Sequence, residues 1–106
     1  MPSWAEWNAL FTVVGGESTA GKALKSQTGW EDNGNGTDAF GFAALPAGFR
    51  NDYVNFYDGG DHAYFWSSTE GDSGTAYRMY LYYDFEIASL YEYEKDFGFS
   101  VRCVKD

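Results

Sequence analysis

The chain has 106 residues, 44% of them hydrophobic, 22% charged and 21% aromatic, which is enough apolar material for one core and too little length for a second domain. Sixteen Asp and Glu against seven Lys and Arg leave a formal net charge of -9. That charge repels phosphate backbones and anionic headgroups, so nucleic acid and lipid surfaces are excluded as partners, and no apolar run approaches the roughly 18–20 residues that cross a bilayer. The N-terminus lacks the basic-then-apolar pattern of a leader, so the sequence reads as one soluble domain over residues 1–106 with no signal and no membrane insertion of its own.

In chain order, Ser3 precedes Trp4-Ala5-Glu6-Trp7-Asn8-Ala9-Leu10-Phe11 with Glu6 three residues on, a capping-box spacing that opens an amphipathic helix. Trp7, Leu10, Phe11 and Val14 fall on one face of it, and Gly15-Gly16 ends it. Ser18 or Thr19 is placed to cap a second short helix through Ala20, Ala23 and Leu24 that stops before Gly29. Two Asn-Gly steps between Trp30 and Gly41 predict an ordered loop or a poor hairpin. Phe40 to Arg50, apolar but broken by glycine, reads as chain packed on the core without long regular structure, and another loop runs through Asp58-Gly59-Gly60-Asp61.

The strand signal is concentrated in the last third, at 63–69, 76–83, 87–93 and 99–104. Helices first and four antiparallel strands last predict an α+β fold with two N-terminal helices packed on a late sheet. Period-two alternation puts Tyr77, Met79, Leu81 and Tyr83 on one face with Ala88 and Leu90, the core candidates. Arg78, Tyr80 and Tyr82 then turn outward with Ile87, Ser89, Tyr91 and Tyr93. In the last strand the same alternation expects Phe99 and Cys103 in the core. Asp84 and Phe85 sit at the turn, with Glu86, Glu92 and Glu94 around the outward tyrosines. Tyrosine offers a large contact area, a hydroxyl and little rotamer entropy to lose, so this face reads as a binding surface. The competing reading is that the rings pair across strands and only stabilise the sheet.

The stretches Trp4-Ala5-Glu6-Trp7-Asn8, 36–48 (Gly-Thr-Asp-Ala-Phe-Gly-Phe-Ala-Ala-Leu-Pro-Ala-Gly), Phe65-Trp66-Ser67-Ser68-Thr69-Glu70 and 98–106 resemble the Fibrobacter succinogenes major paralogous domain nearly end to end. That resemblance implies a C-type-lectin-like scaffold, related at fold level to the formylglycine-generating enzymes, in surface proteins and lipoproteins of bacteria. It also implies a partner for Cys103 just before the stretch matching Met1-Pro2-Ser3, so that this chain starts after that partner. Trp4 stands where relatives carry Asp, which implies a less well capped first helix. Some similar domains are diversified by retroelements that rewrite Asn codons to Tyr, Asp, Ser, Ile and Phe, and the outward positions between Ala76 and Gly98 match that repertoire.

Other chemistry is thin. The Glu-Pro-Asn or Gln-Pro-Asp turn of calcium-dependent lectins is missing, since the only prolines are Pro2 and Pro46. Asp32, Asn33, Asn35 and Asp38 offer hard oxygen ligands for a structural calcium, with a hydrogen-bonded turn as the alternative and no cofactor otherwise implied. Asp58, Asp61 and the single histidine, His62, are weak transition-metal ligands. One cysteine cannot supply the paired active-site thiols of the formylglycine-generating enzymes, no nucleophile elbow accompanies His62, and carboxylate pairs among Glu86, Glu92 and Glu94 are ordinary in an acidic chain. The expectation is a non-enzymatic module outside the cell or at its surface, binding a protein or glycan through Arg78, Tyr80, Tyr82, Asp84, Phe85, Ile87, Ser89, Tyr91 and Tyr93. Its alternatives are a carbohydrate-binding module, where exposed rings stack on sugars, and a purely structural domain.

Overall fold

The computed structural model describes the chain except residues 33, 52–55, 58, 85 and 104–106. Among these described residues two helices, α1 (Trp4–Val13) and α2 (Glu17–Leu24), precede five strands, β1 (Phe49–Arg50), β2 (Phe56–Tyr57), β3 (His62–Asp72), β4 (Thr75–Tyr82) and β5 (Ala88–Glu94). The fold is α+β, with β3-β4-β5 forming one antiparallel sheet and β1-β2 a separate two-stranded ribbon.

The first helix starts where the capping box predicts. The Ser3 N–H donates to Glu6 Oε1 at 2.9 Å and the Glu6 N–H to Ser3 Oγ at 3.2 Å. Those bonds hold the Glu6 carboxyl below its ordinary pKa. Trp4 therefore leaves no weakness at this end, because the cap is Ser3 and the Trp4 N–H is taken by Thr69 Oγ1 at 2.9 Å. The second helix begins earlier than its sequence suggests. Neither Ser18 nor Thr19 caps it; Gly16 does, at φ 103°, with no side-chain hydrogen bond. That backbone is open to glycine and strained for Ser or Thr, so the turn geometry overrides side-chain capping preference.

Between the helices and the inner face of the sheet lies one core, built from Trp7, Phe11, Val14, Ala20, Leu24, Trp30, Ala44, Ala63, Phe65, Met79, Leu81 and Ala88. Met79, Leu81 and Ala88 are fully buried, and Leu90 and Tyr83 pack at the margin, as the period-two reading of these strands expects. Trp30 anchors the long loop, its Nε1–H donating to Ser26 Oγ at 3.2 Å and to the Ala44 carbonyl at 3.1 Å.

The predicted fourth strand is the main difference. Its described residues form no strand; Ser100 makes one parallel bridge to Phe65, and Gly98 an antiparallel one to Arg50. The Trp66 N–H donates to the Ser100 carbonyl and the Ser100 N–H to that of Tyr64, both at 3.0 Å, so this segment flanks β3 and does not continue the meander beside β5. A parallel neighbour needs no hairpin register, and the alternation inferred for a fourth antiparallel strand fails. Phe99 lies only partly buried against the opposite face of the sheet, and Cys103 is exposed. Val104 lies outside the described residues. Among the described residues no helix is long and apolar enough to cross a membrane.

Candidate functional site: the outer face of the sheet

Antiparallel partners share a face, so the register fixes the outer one. On it β4 places Ala76, Arg78, Tyr80 and Tyr82, whose partners on β3 include Trp66, Tyr64 and His62 and on β5 Tyr93, Tyr91 and Ser89. Six of the expected site residues (Arg78, Tyr80, Tyr82, Ser89, Tyr91 and Tyr93) are thereby brought together. Tyr91 is the most open at 63% exposure, while Tyr80, Tyr82, Ser89 and Tyr93 keep partial contact with solvent. Asp84 and Ile87 are exposed in the β4–β5 connection, and Phe85 lies outside the described residues.

This connection and the start of β5 are tied to α2. The Lys22 N–H donates to the Glu86 carbonyl at 3.1 Å, and Ser89 Oγ donates to Glu17 Oε1 at 3.2 Å. Gly21 lets the helix come this close: a Cβ there would lie 2.2 Å from the Ile87 carbonyl oxygen. Beneath the turn, the buried Lys25 donates from Nζ to the Tyr82 carbonyl at 2.8 Å and lies 5.2 Å over the Trp30 ring. Burial lowers the Lys25 pKa, opposed by the charges of Asp84 and Glu86. The same carboxylate-rich corner raises the Tyr83 phenol, chiefly through Asp84.

Part of the outer face is roofed by Phe99, which strand alternation places in the core, and by Phe97 and Phe49 beside it. Phe99 approaches Trp66 at 4.5 Å, Tyr64 at 5.2 Å and Tyr93 at 6.0 Å between ring centroids. Phe97 meets Tyr93 at 4.7 Å and Phe49 at 5.8 Å. The open part is the other half, where the Tyr80 and Tyr82 rings lie 5.0 Å apart and Tyr82 meets His62 at 4.1 Å. None of His62, Tyr64 and Trp66 of β3 is assigned to this face from the sequence, although their alternation with Ala63, Phe65 and Ser67 carries the signal.

At the centre of β4, Arg78 lies among four rings, its guanidinium carbon 4.1 Å from the Tyr93 centroid, 4.4 Å from Tyr64, 5.2 Å from Phe99 and 5.7 Å from Tyr80. The ring faces carry negative charge density, so they stabilise the cation without a carboxylate.

The remaining candidates are dispersed. Asn35 Oδ1 accepts the Trp30 N–H at 3.0 Å and Asp38 Oδ1 the Ala43 N–H at 2.8 Å, while Asp32 and Asp38 hold left-handed backbone. These oxygens close turns, and Asn33 lies outside the described residues. Asp61 Oδ1 sits 2.7 Å from His62 Nδ1; Asp58 lies outside the described residues. Among the described residues no group of three or more His, Cys, Asp or Glu is placed to hold a metal ion. Glu86 lies 3.5 Å from Lys22, and Glu92 and Glu94 are exposed on β5.

The model of the Fibrobacter succinogenes major domain matches residues 1–105. The chain belongs to this family. The match spans both helices, the sheet and the C-terminal segment, as the four resembling stretches imply. No curated protein and no solved structure matches the chain.

Proposed function

We propose that this family member is a non-enzymatic binding module of adhesion or receptor type, holding a protein or glycan ligand outside the cell on the open half of its outer sheet face. The observation that carries the proposal is the convergence of Tyr80, Tyr82, Ser89 and Tyr91 from two hydrogen-bonded strands onto one partly solvent-exposed surface. Strand backbone holds those side chains in fixed relative positions, so little entropy is lost when a ligand docks. Tyrosine is also the residue type enriched at interface hot spots. The acidic residues near the turn favour partners with basic or hydrogen-bonding groups.

A C-type-lectin-like scaffold and a retroelement-diversified patch belong to the same proposal. Support for the first is the order of helices and sheet, with Pro2 and Ser100 both bonded to β3 through Ser68 N–H to Pro2 O and Trp66 N–H to Ser100 O. Support for the second is the Tyr, Ser and Ile content of outward positions 80, 82, 87, 89 and 91. Deep sequencing of the gene in a growing population checks it: variation confined to those codons is expected, and uniform codons refute diversification.

A structural reading has its own observation, the ring packing around Phe99, and it accounts for the roofed half of the face, including Tyr93. The deciding experiment screens the folded domain against glycan arrays and surface proteins beside a variant with Tyr80, Tyr82, Tyr91 and Tyr93 changed to Ser. Loss of binding in a variant that still melts cooperatively supports the module. Retained binding places the ligand elsewhere and overturns the proposal.

A further inference from the structure

We infer that Arg78 is a carboxylate-binding site, through which the outer face grips one acidic side chain of a protein ligand. The inference rests on the proposal that this face is the binding surface, and adds the chemistry of the group it recognises. Four rings surround the guanidinium within 5.7 Å, yet Arg78 makes no hydrogen bond or ion pair among the described residues of a chain holding sixteen carboxylates. Its Nε is buried and has no partner, whereas the terminal nitrogens are not among the buried unpartnered atoms and Arg78 itself is only partly buried.

Ring faces satisfy the cation's charge but accept little from its edge N–H donors. Those donors form a planar fork that matches a carboxylate in two parallel bonds. The apolar collar excludes water from one side of the fork and strengthens any bond made there. A stacked arginine that served the sheet alone would gain by also pairing with one of the chain's own carboxylates, and no described carboxylate is so placed.

Charge selects between sources of the carboxylate. Asp96 is exposed in the turn that follows β5 and the chain carries -9, so a polyuronate with a charge on every sugar is repelled. A single Asp or Glu is attracted by Arg78, while basic residues beside it are attracted by the net negative charge of the chain. The ligand is therefore a protein segment of mixed charge.

The test titrates the 15N-labelled domain with the peptide acetyl-Gly-Lys-Glu-Lys-Gly-amide and with its Gln counterpart, following the Arg78 Nε–H resonance and the Ser89 and Tyr91 amides. Changing the probe avoids any dependence on whether an Arg78 variant folds. Saturable movement of the Arg78 resonance, at least about tenfold weaker with the Gln peptide, is expected for loss of a charge-assisted pair. Equal responses to both peptides at Ser89 and Tyr91 overturn the Arg78 assignment and leave the face as a binding surface. No response at Arg78 up to 10-fold millimolar excess of the Glu peptide also overturns the assignment; tighter binding of oligogalacturonate overturns the protein-segment assignment. A ligand that still binds the four-tyrosine variant overturns the face reading instead.

Discussion

Gly21→Ala separates helix propensity from tertiary fit. Gly21 lies inside α2, where alanine is favoured over glycine by about 1 kcal/mol, so the helix alone predicts a more stable protein. The tertiary structure predicts the reverse. The new Cβ would sit 2.2 Å from the Ile87 carbonyl oxygen, 2.7 Å from its carbon and 2.8 Å from the Glu86 oxygen, all backbone atoms. Ordinary contact requires the β4–β5 connection to retreat by roughly 1 Å, and overpacking of this kind costs about 1–3 kcal/mol. The same retreat weakens the bond from Lys22 N–H to Glu86 O, worth about 0.5–1.5 kcal/mol. After the propensity gain, a net loss of about 1–3 kcal/mol is expected, or roughly 5–15 °C in Tm for a domain of this size. Thermal unfolding by circular dichroism measures it, with Gly59→Ala as control because nothing lies within 4 Å of a Cβ there. The control should melt within a few degrees of the parent. A Gly21→Ala variant as stable as the parent, or more so, would refute the close approach of α2 to the turn that carries Asp84 and Ile87.

Leu81→Ala, at a fully buried position, should lose about 2–5 kcal/mol in denaturant titration, whereas Tyr91→Ala, largely exposed, should change stability by less than about 0.5 kcal/mol. Phe99→Ala should cost about 2–3 kcal/mol and reduce the near-ultraviolet dichroism of the ring cluster; a silent substitution would show that the roof over β3 is not packed. Ser3→Ala should cost about 1 kcal/mol by opening the capping box, read as a lower denaturant midpoint. Glu6 and Asp72 have carboxyls held below their ordinary pKa, Glu6 by hydrogen bonds from Ser3 and Asp72 by those from Gly74 and Thr75. Such groups stabilise the fold above their unfolded values near pH 4, and that contribution is lost as pH falls through the lowered folded values. Melting curves from pH 6 to pH 2 should show the loss reduced in a Glu6→Gln, Asp72→Asn variant.

Local pattern was sufficient where neighbours in sequence are neighbours in space. The Ser3–Glu6 cap, the Trp7-Phe11-Val14 stripe and the alternation in β4 and β5 each rest on periodicities of the backbone itself, and the family is legible in short contiguous stretches. The Ser73-Gly74 turn does not by itself set the register of β3 on β4, because the pairing shifts between Asp72 and Glu70 and again between Glu70 and Trp66 before Tyr64 meets Tyr80 and His62 meets Tyr82. The tertiary structure decided what local pattern does not encode. Gly16 caps α2 because the chain must reverse there with positive φ, and Lys25 is buried because the Tyr82 carbonyl and the Trp30 ring lie above it. The segment at Phe99 has strand-like alternation but pairs in parallel with β3, which sends Phe99 to the outer face and leaves Cys103 exposed. Alternation states which residues point together, but only the partner strand states where they point. For that reason the tyrosine face was readable in the sequence, and the ring cage around Arg78, assembled from β3, β4, β5 and the C-terminal segment, was not.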